Sequence, residues 1–179
     1  PSGEAWRAVV NGVFGARLAA AGNPLASTMR LRRGGTPLTL TRTALAQSLP
    51  QARGRILVLV HGLCRNDLQW REAGHDHGAA LERGPGYTAG CLHYNSGQPV
   101  ARNGEQLAAL LGSLCRAWPV PVQDLTLMGH SMGGLVIRSA VAVGQRGAQP
   151  RLRQLRRLVF LGTPHRGARW ERLGKGVES

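Results

Sequence analysis

The sequence predicts an α/β fold in which a mostly parallel sheet carries helices on both faces. Three observations support this prediction. The aliphatic run 56–60 contains no polar residue, as expected of a strand buried on both faces. Amphipathic helical stretches alternate with strand-like stretches along the chain, which is the pattern of a parallel sheet. The chain has no internal repeat and no low-complexity segment.

Residues 1–50 are predicted to form a lead-in segment ahead of the main domain at 51–179. Apolar residues at helical spacing predict a helix over 4–21, which Gly22-Asn23-Pro24 would end. The remaining elements of this segment are a short strand and a small helix, at 37–41 and 44–49.

The main domain is predicted to contain four strands and two long helices. The first long helix has an apolar face that includes Leu107, Leu111 and Leu114. Asn103 with Gln106 is a reasonable capping pair at its start. The predicted strands lie at 56–60, 88–94, 125–128 and 158–161, and the helices at 103–118 and 132–143.

The 179 residues carry a formal net charge of +14, and all but one of the 23 basic residues are arginine. The basic residues are spread along the chain, aromatic residues make up only 4%, and no nucleic-acid-binding module is recognisable. We therefore expect a solvated basic surface and no nucleic-acid partner. Contact with an anionic membrane surface stays open as an alternative use of the charge.

The three cysteines are Cys64, Cys91 and Cys115. An odd number without paired spacing favours free thiols over a disulfide framework or a zinc ribbon. The chain begins at Pro1 without Met, has no secretory apolar segment and ends at Ser179 in a polar stretch. We expect a cytoplasmic protein, and a chain that is a piece of a longer one.

The segment Gly129-His130-Ser131-Met132-Gly133-Gly134 lies between a predicted strand and a predicted helix. A Ser in a G-x-S-x-G turn occupies a strained strand-to-helix corner, where small neighbours avoid clashes. The corner exposes the hydroxyl at a helix N-terminus, whose partial positive charge favours a developing oxyanion. Together with the upstream His61-Gly62 turn, this context indicates that Ser131 is a nucleophile.

The chain resembles the N-terminal part of an α/β-hydrolase of the lipase/esterase kind, in the branch of bacterial triacylglycerol lipases and GPI inositol-deacylase-like proteins. Three blocks carry the likeness: LVLVHGL at 57–63, GHSMGG at 129–134 and VFLGTPHRG at 159–167. Their order and spacing agree with strands three to six of that fold. The resemblance therefore implies an α/β-hydrolase sheet that is truncated after about strand six.

The resemblance implies a role for each matching residue. Ser131 would be the nucleophile, and the backbone N–H groups of Met132 and Leu63 would be the two oxyanion-hole donors. Cys64 is the alternative donor if its loop is shifted by one residue. The residues that would support the two turns are His61, Gly62, Gly129, His130 and Gly133.

The resemblance also calls for an acid and then a histidine after the nucleophile. No Asp follows Ser131, and the only later carboxylates are Glu171 and Glu178. The only later histidine is His165, which precedes both glutamates and lies in a block that resembles a loop at the rim of the site. We expect the acid and the base beyond residue 179, and we expect this chain alone to lack a complete triad.

Other polar residues allow structural interpretations. The triplet His75-Asp76-His77 has no further ligand at suitable spacing, which favours a hydrogen-bonded loop over a metal site. His93 is interpreted as a core or rim histidine. The sequence leaves open whether four residues past the oxyanion turn line an acyl pocket or cap a helix: Asn66, Asp67, Gln69 and Trp70.

These patterns predict a serine hydrolase, an esterase or lipase, that cleaves carboxylic esters through an acyl-enzyme on Ser131. Acyl transfer to an alcohol through the same intermediate is one alternative. A basic interaction domain on a non-catalytic hydrolase scaffold is the alternative from another class. The expected partner is a small ester or lipid, no metal or organic cofactor is implied, and the oligomeric state is not predicted.

Overall fold

The computed structural model describes residues 3–72, 74–146 and 152–166. Its strands are β1 (Arg30–Arg33), β2 (Thr36–Pro37), β3 (Arg55–Val60), β4 (Arg71–Glu72), β5 (His75–Asp76), β6 (Thr88–His93), β7 (Asp124–His130) and β8 (Leu155–Leu161). Six of these form one sheet in the order β2-β1-β6-β3-β7-β8, and β4 with β5 forms a small ribbon.

Four neighbouring strands of the large sheet, β6, β3, β7 and β8, run parallel. β1 pairs antiparallel with β6, and β2 is its hairpin partner. Val60 at the end of β3 stands opposite Leu92 on one side and Gly129 on the other. Parallel strands end at the same edge, so the turns that follow β3, β6 and β7 meet there. The predicted mostly parallel α/β sheet is confirmed.

Helices cover both faces of the sheet, as predicted. Ile56, Val58 and Val60 lie in one buried cluster with side chains of two long helices, Val100–Ala117 and Met132–Arg146. Leu57 and Leu59 lie in a second cluster on the opposite face. Successive side chains of a strand point to opposite faces, so β3 is buried on both. The helices are α1 (Gly3–Ala20), α2 (Arg42–Ser48), α3 (His77–Arg83), α4 (Val100–Ala117) and α5 (Met132–Arg146), with a 3₁₀ turn at Asp67–Trp70.

The structure corrects the predicted start of α4. The helix is capped by Pro99 and begins at Val100, so Asn103 is not its cap. The Asn103 side chain is buried, and its amide nitrogen donates to the carbonyl oxygens of Asn95, 3.0 Å away, and Gln98, 3.3 Å away. The prediction was wrong because a proline, with its fixed φ, can start a helix without a side-chain cap.

The lead-in segment contributes two strands to the sheet, the first of which the sequence did not predict. β1 begins at Arg30, and the predicted strand at 37–41 overlaps the two-residue β2 only at Pro37. Leu31 is 2% exposed and lies over Gly90, where a Cβ would come within 2.9 Å of the leucine side chain. A glycine in β6 therefore makes the space that lets an arginine-rich strand bury its one leucine.

Helix α1 packs against the protein with small and polar residues, since Asn11 and Gly15 are buried. Four of its large apolar residues face outward and form what we call the α1 apolar stripe. The stripe consists of Trp6, Val9, Val13 and Phe14, which are 59, 50, 62 and 51% exposed. No helix within the described residues is long and apolar enough to cross a membrane.

Candidate active site

Ser131 occupies the corner between β7 and α5 with a φ of +53°, a conformation that L-residues other than Asn and Asp rarely adopt. Its backbone N–H donates to the carbonyl oxygen of Leu161 over 2.8 Å, and its own carbonyl oxygen accepts from Gly134 over 3.1 Å. Such strain, of order 1–3 kcal/mol, persists only where the surroundings fix it. The predicted nucleophile thus lies in the strained corner that the motif calls for.

Glycines make this corner sterically accessible. A Cβ on Gly129 would lie 2.7 Å from the backbone nitrogen of Gly134. A Cβ on Gly133 would lie 2.5 Å from the carbonyl oxygen of His61 and would also strike that of Val60. α5 therefore approaches the backbone of β3, and not only the strand that precedes it. A Cβ on Gly62 would come within 3.2 Å of the Ser131 side chain, so the two turns face each other.

The neutral side chain of His61 supports the turn after β3. Its ring is fully buried, stacks on Tyr94 at 4.3 Å, and its Nδ1 donates to the Gly62 carbonyl oxygen over 2.9 Å. Burial lowers the pKa of His61 to about 4, despite the hydrogen bond to Gly62 that favours the charged form. At neutral pH this imidazole is a structural element of the turn.

The two predicted oxyanion donors lie on the two facing turns. The N–H of Met132 is in the first turn of α5, and among the described residues it has no acceptor. The N–H of Cys64 donates to the Ser96 hydroxyl over 3.1 Å, whereas the N–H of Leu63 has no acceptor among the described residues. Of the two candidates in the β3 turn, Leu63 is the one with a free donor.

The third block of the likeness packs against the corner. The Thr163 side chain covers Gly134, where a Cβ would lie 2.7 Å from the threonine methyl group. The His165 Nδ1 lies 3.2 Å from a guanidinium nitrogen of Arg138, and its ring stands edge-on to Phe160. A guanidinium is the opposite of the carboxylate that orients a triad histidine. The two later glutamates, Glu171 and Glu178, lie outside the described residues.

The segment after the oxyanion turn caps a 3₁₀ turn, which answers the question that the sequence left open for Asn66. The Asn66 side chain accepts from the Leu68 N–H over 3.0 Å. Asp67 is buried and pairs with Arg32 at 2.9 Å and with the Nδ1 of His93 at 3.1 Å. Burial raises the pKa of Asp67, but hydrogen bonds from His93 and Arg32 outweigh it and hold the pKa below its usual value.

The triplet at 75–77 spans β5 and the first residue of α3, with Asp76 as the cap of the helix. The Asp76 carboxylate accepts from the Ala79 N–H over 2.9 Å and pairs with Arg71 at 2.7 Å. The rings of His75 and His77 stand edge to face at 4.6 Å. Residues 3–72, 74–146 and 152–166 bring together no group of three side chains that could hold a metal ion. The three cysteines are free thiols, as predicted.

A cavity of about 770 Å³ lies between α1, the loop after it and α4. Its lining includes Arg7, Arg30 and Gln106 but not Ser131. We therefore do not assign it as the acyl pocket.

Sequence reasoning missed two residues that hold the turn after β3, Tyr94 and Ser96. The Tyr94 hydroxyl donates to the His61 carbonyl oxygen over 2.7 Å, while the Ser96 hydroxyl accepts from Cys64. Both residues come directly after β6, some thirty positions along the chain from their partners. Only the parallel pairing of β3 with β6 brings them together, so no local signal could have identified them.

Comparisons with known proteins agree with this geometry. Residues 50–175 match the family described as "Putative serine esterase (DUF676)". Among solved structures, the mature Bacillus licheniformis lipase BlEst2 is 25% identical, with a TM-score of 0.55 over 70% of this chain and 47% of the lipase. The propeptide form of that lipase is also 25% identical, with a TM-score of 0.54 over 68% of this chain and 25% of the lipase.

The chain thus spans less than half the length of either lipase structure. A search of curated proteins finds no relative that matches. The family match covers most of the chain, and the sheet order and the strained serine corner agree with it. The chain belongs to the DUF676 family and has the α/β-hydrolase fold of lipases and esterases.

Proposed function

We propose that the protein is a serine hydrolase that cleaves carboxylic esters through an acyl-enzyme on Ser131. The observation that carries the proposal is the left-handed φ of +53° at Ser131. The glycines of this corner leave no room for a Cβ, because backbone atoms of β3 and of α5 lie against them. Strain of this kind is retained at sites where geometry is needed for chemistry. The esterase family and the lipase neighbours support the same reaction class.

In the proposed reaction, the Ser131 oxygen attacks the ester carbonyl carbon, and its proton passes to a general base. The carbonyl oxygen becomes an oxyanion, which the N–H groups of Leu63 and Met132 would stabilise. The alcohol leaves with a proton from the protonated base, and water then releases the acid from the acyl-enzyme. Loss of one such donor in a protease lowers kcat about 10²–10³-fold.

The test is Ser131→Ala in the full-length protein. We expect p-nitrophenyl ester hydrolysis to fall by at least about 10³-fold with no loss of fold, because losing a triad member removes most of the rate. A fluorophosphonate probe should label the wild type at Ser131 and leave the variant unlabelled.

A matched control is Ser139→Ala, which removes a hydroxyl from the middle of α5 without touching the corner. It should keep its turnover and its labelling. A Ser131→Ala variant that retains most of the parent turnover would remove Ser131 as the nucleophile. A folded wild type that neither hydrolyses esters nor reacts with the probe would favour the non-catalytic scaffold.

We also propose that the α1 apolar stripe docks on an anionic lipid bilayer. Trp6 and Phe14 are aromatic residues of the kind that partition into the membrane interface. Arg7 and Arg17 on the same helix have no carboxylate within salt-bridge distance among the described residues, and the only acid in α1, Glu4, pairs with Arg32. Apolar residues flanked by unpaired arginines complement an anionic lipid surface.

Co-sedimentation of the full-length protein with vesicles tests this docking. We expect binding to phosphatidylcholine vesicles that contain phosphatidylglycerol, and a large loss of binding in the double variant Trp6→Gln/Val13→Gln. Ala101→Gln, which places the same polar side chain at an exposed position of α4, should bind like the wild type. The proposal would be overturned if the wild type did not bind the vesicles. It would also be overturned if another part of the full-length protein covered the α1 apolar stripe.

A further inference from the structure

The turn after β3 is held by one short segment, residues 94–97. Tyr94 fixes the carbonyl oxygen of His61 at the start of the turn. Ser96, which is 2% exposed, accepts from the N–H of Cys64 at its end. The two hydrogen bonds therefore bracket Leu63, the residue whose N–H is the proposed oxyanion donor.

The conformation of Cys64 needs such a restraint. Its φ is +56°, so two residues of the described chain other than glycine have positive φ, namely Cys64 and Ser131. A cysteine has no intrinsic preference for this region, and neither a proline nor a glycine in the turn imposes it at position 64. The hydrogen bond from its N–H to Ser96 is the polar contact that fixes this peptide plane.

The segment that carries Ser96 is itself rigidly anchored. The Asn95 amide nitrogen donates to the Gly15 carbonyl oxygen in α1 over 2.9 Å. The Asn95 carbonyl oxygen accepts from Asn103 in α4 over 3.0 Å. A Cβ on Gly97 would lie 2.9 Å from the carbonyl oxygen of Gly12, so this loop lies directly against α1. The backbone around Ser96 is therefore held in place by α1 and α4, and this fixes the position of the Ser96 hydroxyl.

The same helix also packs against the turn itself. A Cβ on Gly12 would lie 2.9 Å from the Cα and from the backbone nitrogen of Cys64. Cys64 is thus confined between the Gly12 backbone and the Ser96 hydroxyl. With its N–H used by Ser96, Cys64 is not free to act as the donor, whereas the N–H of Leu63 has no acceptor among the described residues.

We propose that Ser96 is a positioning residue that holds Cys64 in its left-handed conformation and thereby selects the Leu63 N–H as the oxyanion donor. The inference rests on the proposed ester hydrolysis. Without the Ser96 hydroxyl, the N–H of Cys64 loses its acceptor. It then competes with the N–H of Leu63 for the oxyanion, or displaces it. Stabilisation of the transition state then falls, while binding of the neutral ester is little affected.

The experiment compares Ser96→Ala with Ser96→Thr, which keeps the hydroxyl, in the full-length protein. We expect Ser96→Ala to lower kcat about 10- to 100-fold, less than the 10²–10³ reported for outright loss of a donor. KM should stay within about twofold. The inhibition constant of a trifluoromethyl ketone, which forms a tetrahedral adduct, should rise in step with the fall in kcat. Ser96→Thr should retain most of the activity.

The matched control is Thr88→Val at the opposite end of β6. Thr88 is also buried, and its hydroxyl also accepts from a backbone N–H, that of Arg53 over 2.9 Å. We expect this variant to lose stability without a change in kcat. If Ser96→Ala does not fold, Ser96→Cys retains the volume with a weaker acceptor and takes its place.

Two failures are distinguishable. An active wild type that is labelled at Ser131, with kcat of Ser96→Ala within twofold or with kcat lowered equally in Thr88→Val, overturns the role of Ser96 alone. A wild type that is neither active nor labelled overturns the proposed function and this inference with it.

Discussion

Helices α5 and α1 are of similar length, yet they pack in opposite ways. α5 buries Val136, Ile137 and Ala140 against the sheet, and its first turn meets the β3 backbone through Gly133. α1 buries Asn11 and Gly15, and exposes its large apolar side chains in the α1 apolar stripe. Both helices approach the backbone of the turn after β3, α5 at His61 and α1 at Cys64.

The difference shows that helical periodicity predicts a helix without predicting which face is buried. In α5 the apolar residues and the close glycine contacts lie on the same side, so packing and helix formation agree. In α1 the contact with Cys64 and with residues 95–97 requires small residues, namely Gly12 and Gly15. Close backbone approach therefore decides the orientation of α1, and the apolar residues are left outside.

The largest effect is expected where α5 meets β3. Gly133→Val should prevent folding, because its Cβ would enter the space of the Val60 and His61 carbonyl oxygens, which are backbone and cannot turn aside. Overpacking of this kind typically destabilises a protein by about 1–3 kcal/mol and occasionally by more, and a clash with backbone leaves little room to relax. Thermal unfolding followed by circular dichroism measures it. Gly3→Val, at a position in α1 with no atom near the new Cβ, is the control and should leave the melting temperature almost unchanged.

Normal melting of Gly133→Val would contradict the tight corner. Gly133→Ala, which adds a single methyl group at the same point, should be intermediate between the two variants.

A smaller effect distinguishes the apolar faces of the two helices. Ile137→Ala should lower the free energy of unfolding by about 2–5 kcal/mol, because it removes a fully buried side chain. Val13→Ala should change it by no more than about 0.5 kcal/mol, because the side chain is 62% exposed. Urea unfolding of both variants gives the comparison. A loss above about 2 kcal/mol for Val13→Ala would show that another part of the protein covers the stripe.

The smallest effect concerns the polar side chains buried beside each helix. Asn11 bonds through both side-chain atoms: its amide donates to two carbonyl oxygens and its oxygen accepts from Ser27. His61 has a buried Nε2 without a partner among the described residues. Its pKa of about 4 lies below the 6.5 of an unfolded histidine, so the unfolded chain binds a proton between these values and the folded chain does not.

The contribution of His61 to the free energy of unfolding should therefore be fully present above pH 6.5. Below pH 6.5 it should fall by up to about 1.4 kcal/mol per pH unit. His61→Gln should reduce that slope between pH 6.5 and 5, measured by urea unfolding. The exposed His75→Gln should retain it. An unchanged slope in His61→Gln would assign the pH dependence to other groups. Asn11→Asp is the counterpart of His61→Gln in α1, because it should place a negative charge at a buried position that is neutral in the wild type.

Much of the site could be predicted because its signals are local. The G-x-S-x-G spacing, a strand before it and a helix after it are properties of adjacent residues, and the structure places Ser131 in the strained corner they indicate. The aliphatic run 56–60 predicted a strand buried on both faces for the same reason, since burial on both sides leaves no position for a polar residue.

The sequence by itself determined the four main strands and their parallel arrangement, the two long helices between them and the identity of the serine corner. Only the tertiary structure decided the outward orientation of α1, the pairing of Asp67 with Arg32 and the support of the turn after β3 by Ser96. These features join residues some thirty positions apart or depend on how closely two backbones approach. Neither leaves a periodic or compositional trace, because contact across a sheet is set by strand register and by the space that single glycines provide.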